Sequence, residues 1–143
     1  MITKILNMIP EFCLSHWLLR IPLSIVFIQQ GLSKLPISIE DADSFNLPYI
    51  VWWFAAYGEI GAGIGLIVGG IIGLNIWGFF IKDMMHSLSD LLTRFCGITI
   101  CCIMTGVIWV GEPDSLLDVL LYDNFHVFLW VAGLFFALRG KRA

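Results

Sequence analysis

The sequence predicts an all-α integral membrane protein, a four-helix bundle forming a single transmembrane domain over residues 1–143. Three observations point there. The composition is 59% hydrophobic and only 13% charged, whereas soluble domains run near half apolar and a quarter charged. Four apolar runs approach the roughly 20 residues a helix needs to cross the hydrocarbon core. The charged residues collect at the ends of those runs, with the basic ones sorted largely to one side.

The first run, residues 12–35, is interrupted by Arg20 and Pro22. The second follows Pro48 and covers 49–70; the third covers 91–110. The fourth, 122–138, is short but sufficient when its flanking side chains snorkel. Between the second and third runs, residues 71–90 mix Trp77, Phe79, Phe80, Met84 and Met85 with Asn75, Lys82, Asp83 and His86. Gly69, Gly70 and Gly73 favour a break before this stretch. It is therefore expected as an interfacial segment lying in the headgroup layer. The polar stretch Ser38 to Asn46 is expected as a tight external loop.

Orientation follows from the basic residues. With a cytoplasmic N-terminus, Lys4, Arg20, Lys82, Arg94, Arg139, Lys141 and Arg142 lie toward the cytoplasm, and only Lys34 toward the other face. The acidic Glu40, Asp41, Asp43, Glu112, Asp114, Asp118 and Asp123 then fall outside. An even helix count brings both termini to the cytoplasmic side, N-in and C-in. Trp17 and Trp77 fall near the inner boundary, and Tyr49, Trp52, Trp53, Trp109 and Tyr122 near the outer one, as an aromatic belt does.

Several classes are excluded. A net charge of −3 leaves no electrostatic footprint for nucleic acid. No phosphate-binding glycine loop, HExxH or GxSxG motif is present, which argues against an autonomous hydrolase or nucleotide enzyme. Cys13, Cys96, Cys101 and Cys102 sit in or beside apolar runs and are expected as reduced, structural thiols. Lys4 is followed by a run broken by Pro10, Glu11 and Arg20 with no A-x-A site, so no cleaved signal peptide is expected. Cys13 and His16, or Cys96 and His86, match no compact ligand motif, and no metal is expected. His126, Trp130, Gly133 and Ala137 share a helical face that is expected to pack.

Chemistry is sought where charge enters the membrane, because ionisable groups there are costly. Glu59 lies about ten residues into the second run, roughly 15 Å deep at 1.5 Å per residue. A carboxylate at that depth must be protonated, paired or turned toward a wet cavity. In the first run Arg20, Ser24, Phe27, Gly31 and Lys34 recur at helical spacing and form one stripe, with Gln30 beside it. Counting back along antiparallel helices puts Glu59 level with about position 25, within reach of Arg20, with Lys34 approaching from the outer end. Arg94 is expected in the same layer as Arg20. These residues make either a polar pocket for a ligand or proton relay, or a buried ion pair that fixes helix register.

The second run also carries two small-residue faces. Gly61, Gly65, Gly69 and Gly73 repeat every four residues, and Ala55, Glu59, Ala62, Gly63 and Gly70 line another side. Small-xxx-small faces let helices approach closely, within the bundle or against a partner protein.

The stretch LLRIPLSIVFIQQGLSKL at 18–35, with Arg20 early and Gly31, Lys34 and Leu35 at its end, resembles the opening helix of the DoxX family. EIGAGIGLIVG at 59–69 is similar to that family's Glu followed by a glycine-rich run, and LLTR at 91–94 to its Thr-Arg. The chain departs from the pattern in the insertion at 71–90, where many members have a tight turn, and in Ser24, where Gly is common. The resemblance implies a four-helix bundle in the bacterial inner membrane and an association with membrane electron transfer. Some relatives are subunits of quinol oxidases or thiosulfate:quinone oxidoreductases.

Two expectations follow. The first is a non-catalytic accessory subunit of a larger respiratory or photosynthetic redox complex, without a cofactor of its own, packing through glycine faces and contacting lipids. The second is a quinone-linked oxidoreductase component in which Arg20, Gln30, Lys34, Glu59 and Arg94 form the ligand pocket and Glu59 is the candidate catalytic group. A small transporter is less attractive, because four helices without an internal repeat do not fit that architecture.

Overall fold

The computed structural model describes residues 15–74 and 81–140. Among these every regular element is a helix: α1 (Trp17–Ser33), α2 (Ile39–Ser44), α3 (Tyr49–Ile72), α4 (Lys82–Val110), α5 (Leu116–Tyr122) and α6 (Asn124–Arg139). The expected helix start at residue 12, Cys13, the charges Lys4, Lys141 and Arg142, and Asn75, Trp77, Phe79 and Phe80 lie outside the described residues.

α3 and α4 are each long and apolar enough to cross a membrane. α5 and α6 together make a third candidate, bent by 98° at the break between them. The surface is apolar all round: Ile25, Leu32, Phe54, Ile64, Phe95, Ile98, Phe128 and Val131 are all exposed. Polar groups turn inward instead, with Arg20, Ser24, Glu59, Ser89 and Thr93 fully buried. Such an inside-out distribution suits lipid as solvent rather than water.

Close approaches set the packing of consecutive long helices. A Cβ added at Gly63 would lie 2.8 Å from the Ser24 carbonyl, and one at Gly31 would lie 2.6 Å from the Ala56 carbonyl, so α1 and α3 touch backbone to backbone. These contacts run in opposite sequence directions, so the pair is antiparallel. Gly69 and Gly73 face Thr93 and Ser89, and Gly65 faces the Cys96 thiol, which joins α3 to α4. Gly97 lies against Gly133 and Ala137, which joins α4 to α6. Both glycine faces of α3 are thus consumed inside the chain; only Gly61 has nothing within 4 Å. Leu23, Phe27, Leu66, Ile100, Met104, Leu129 and Phe136 fill the shared core.

Three features differ from the sequence expectation. Residues 82–90 are not a separate interfacial segment but the opening turns of a continuous 29-residue helix. No Gly or Pro interrupts Lys82 to Cys96. The Ser89 hydroxyl donates to the Gly69 carbonyl at 2.7 Å, and Arg94 pairs with Asp90 one turn away at 2.8 Å. The connections after α1 and α4 are helical in part, because Ser38 and Ser115 cap α2 and α5 by accepting from the Asp41 and Asp118 amides. The fourth helix begins at Asn124 rather than 122, after the bend.

Candidate functional site

The stripe predicted on α1 is buried as a unit. Arg20, Ser24, Phe27 and Gly31 are all buried, and Lys34 is 14% exposed at the helix end. From that end the Lys34 Nζ reaches down to α3. It donates to the Glu59 carboxylate at 2.6 Å and to the Gln30 carbonyl at 3.2 Å. It also stands 5.5 Å from the centre of the Trp52 ring, a cation–π distance. Glu59 itself is 2% exposed. A buried carboxylate is thereby held by one partner that is itself almost enclosed.

Beside this pair lies a cleft of about 620 Å³. Gln30 and Lys34 of α1 and Trp52, Ala55 and Glu59 of α3 form one side of it. Ile103, Met104 and Val107 of α4 and Phe125, His126 and Leu129 of α6 form the other, with Phe45 and Leu47 at the α2–α3 connection. The volume falls in the range of small-molecule sites, which are mostly apolar with a few placed polar groups. Its position follows from α3, which carries Trp52, Trp53, Phe54 and Tyr57 in one half and most of its glycines in the other. The glycine half lies tight on α4. Around the aromatic half the helices leave space, and Gly106 on α4 there has no neighbour within 4 Å.

The other predicted site residues go elsewhere. Arg20 sits about two turns too far along to meet Glu59: its guanidinium donates to the Leu66 carbonyl at 2.6 Å and to the Thr93 hydroxyl at 3.3 Å. It also lies over the Phe136 ring at 4.7 Å, tying α1, α3, α4 and α6 together. Arg94 follows the Thr93 that Arg20 contacts and so lies at about that level, but its side chain turns toward α6 instead. It donates to the Ala137 and Leu138 carbonyls at 3.0 and 2.7 Å and so caps the C-terminus of α6. Gln30 lines the cleft with Lys34 and Glu59. The five candidates therefore resolve into a cleft group, a core staple and a helix cap.

Sequence reasoning missed two cleft residues. Trp52, assigned to the aromatic belt, is 8% exposed and stacks on Phe45 at 5.1 Å between ring centres. Its place at i−7 from Glu59 was the available signal. His126, assigned to packing, lines the cleft and pairs with Asp123. The rest of that α6 face does pack: Gly133 against Ile100, and the Trp130 indole donating to the Thr105 hydroxyl at 3.1 Å. Cys96, Cys101 and Cys102 are free thiols, and Cys102 also lines the cleft.

The half of the site built from α1 and α3 coincides with a known family signature. Residues 16–81 match the DoxX family model. The DoxX-like segment contains Arg20, Gln30, Lys34 and Glu59 together with the α1–α3 interface. DoxX is a membrane protein family, in keeping with the apolar surface. The walls contributed by α4 and α6, and Arg94, lie beyond the match. No curated protein and no solved structure matches the chain. Within the DoxX-like segment, Ser24 stands opposite Gly63, whose missing Cβ leaves room for the Ser24 backbone carbonyl and the Ile28 side chain.

Proposed function

We propose that this chain is a subunit of a membrane redox complex whose own contribution is a niche for a quinone. The observation that carries this reading is the cleft beside Lys34 and Glu59: carbon-lined walls, a volume of about 620 Å³, and one ion pair on its wall. A quinone has an apolar ring with two carbonyl acceptors. Lys34 has a donor to offer one of them, in the manner of preorganised electrostatics. Glu59 is the group placed to exchange a proton with it. Reduction to the quinol takes two electrons from a partner redox subunit and two protons. Docking through the glycine faces of α3 is the weaker support for a partner, because those faces are used internally apart from Gly61.

The same reading places α1, α3, α4 and α6 as a four-helix bundle across the bacterial inner membrane. Lys82, Arg94 and Arg139 gather where α4 begins and α6 ends, which is the cytoplasmic end by the positive-inside rule. Glu40, Asp41, Asp43, Glu112 and Asp114 occupy the opposite end, and both termini are cytoplasmic.

The test is equilibrium binding of a short-chain benzoquinone to the purified full chain, read by quenching of its tryptophans. Lys34→Met is expected to weaken binding at least tenfold, while Arg94→Gln, remote from the cleft, leaves it unchanged. Equal affinity in the wild type and Lys34→Met would discard the niche.

A further inference from the structure

We propose that α5 is an in-plane anchor seated in the membrane surface, docking its leucines into the boundary between headgroups and acyl chains. The helix is seven residues long, and Val119 is its only buried residue. Leu116, Leu117, Leu120 and Leu121 are all exposed. At 100° per residue these four fall on one face, so the exposure is a continuous strip rather than scattered residues. Nothing within the described chain covers it.

The occupant follows from geometry and charge. α5 stands at 98° to α6. If α6 runs across the bilayer with α4, α5 must run along its surface. Trp109, at the end of α4, and Tyr122, at the end of α5, are 81% and 83% exposed, which places amphipathic rings on both sides of the strip at interface depth. Phe125 and Phe128, in the first turns of α6 that follow the strip, are exposed as well. Glu112, Asp114, Asp118 and Asp123 surround the strip, and no Lys or Arg occurs between Arg94 and Arg139. Attraction to anionic headgroups is therefore absent. The partner that fits is a neutral or zwitterionic lipid surface, held by apolar burial.

The position of this anchor gives it a role. Gly111, just before α5, and Phe125 and His126, just after it, all line the cleft. A seated α5 fixes the cleft mouth at the level of the lipid glycerol groups, from which an amphiphile enters without first crossing water. The proposal concerns α5 and stands whether or not the occupant of the cleft is a quinone.

The experiment places the photoreactive residue p-benzoylphenylalanine singly at positions 117, 121, 114 and 128 of the full chain, reconstituted into phosphatidylcholine vesicles. All four positions are exposed, so the fold tolerates them. After irradiation, mass spectrometry is expected to show adducts of one phospholipid at 117, 121 and 128 and none at 114. Lipid adducts at 128 but not at 117 or 121 would overturn the anchor. Crosslinks at 117 and 121 to a second copy would assign the strip to self-association instead. Absence of lipid at 128 as well would remove α6 from the membrane, and the proposal with it.

Discussion

Lys34→Met is expected to lower the unfolding free energy by roughly 3 kcal/mol, and adding Glu59→Leu to return most of that loss. The asymmetry comes from the environment of the pair. Glu59 is 2% exposed, and its one hydrogen bond among the described side chains is the 2.6 Å contact with Lys34. Removing the ammonium leaves a 2% exposed carboxylate without the hydrogen bond that holds it. Removing both groups leaves an apolar site of similar shape, and replacing buried ion pairs in that way is often neutral. Denaturation of the four proteins of this cycle in one detergent measures the coupling directly. Equal stability of Lys34→Met and the wild type would mean that the pair is solvated rather than buried. A quinone niche adds a second signature: the double variant should regain stability without regaining ligand affinity.

The second large effect is expected at Gly97. Gly97→Ala should destabilise by about 3 kcal/mol, at the upper end of overpacking, whereas Gly61→Ala should be neutral or stabilising by up to about 1 kcal/mol. A Cβ at Gly97 would meet the backbone of α6, with the Gly133 carbonyl at 2.6 Å and the Ala137 amide closer still. Backbone cannot rotate away as a side-chain tip can, so α4 and α6 must separate. At Gly61 there is no atom within 4 Å, and the helix gains the higher propensity of alanine. Thermal unfolding of both variants decides the matter. Comparable losses at the two positions would show that Gly61 packs against something not included in this chain.

The stripe on α1 was legible because spacing alone puts Arg20, Ser24, Phe27, Gly31 and Lys34 on one side of a helix, and that side is the buried one. The importance of Glu59 was legible from depth. Which cation meets it was not. Estimated helix ends set the level of Glu59 about one turn away from where it sits, and one turn exchanges Lys34 for Arg20 as its partner. The cap of α2 was present as Ser38-x-x-Asp41, yet the polar composition of Ser38 to Asn46 led to a loop assignment. Residues 82–90 misled in the opposite direction, since their mixed polarity describes an interfacial helix as well as the exposed start of a long one. The cleft could not be read from sequence at all. It depends on how far α3 and α4 part beyond their glycine contact, which is a property of the assembled helices.

Arg20 carries a consequence for biogenesis. Its hydrogen-bond acceptors, the Leu66 carbonyl and the Thr93 hydroxyl, lie 46 and 73 residues downstream. When α1 leaves the ribosome neither acceptor has been synthesised, so the guanidinium, in the first turn of α1, must at first be satisfied by water or headgroups. α1 can reach its final packing only once α3 and α4 have arrived. Its place is then set by the completed bundle rather than by its own hydrophobicity.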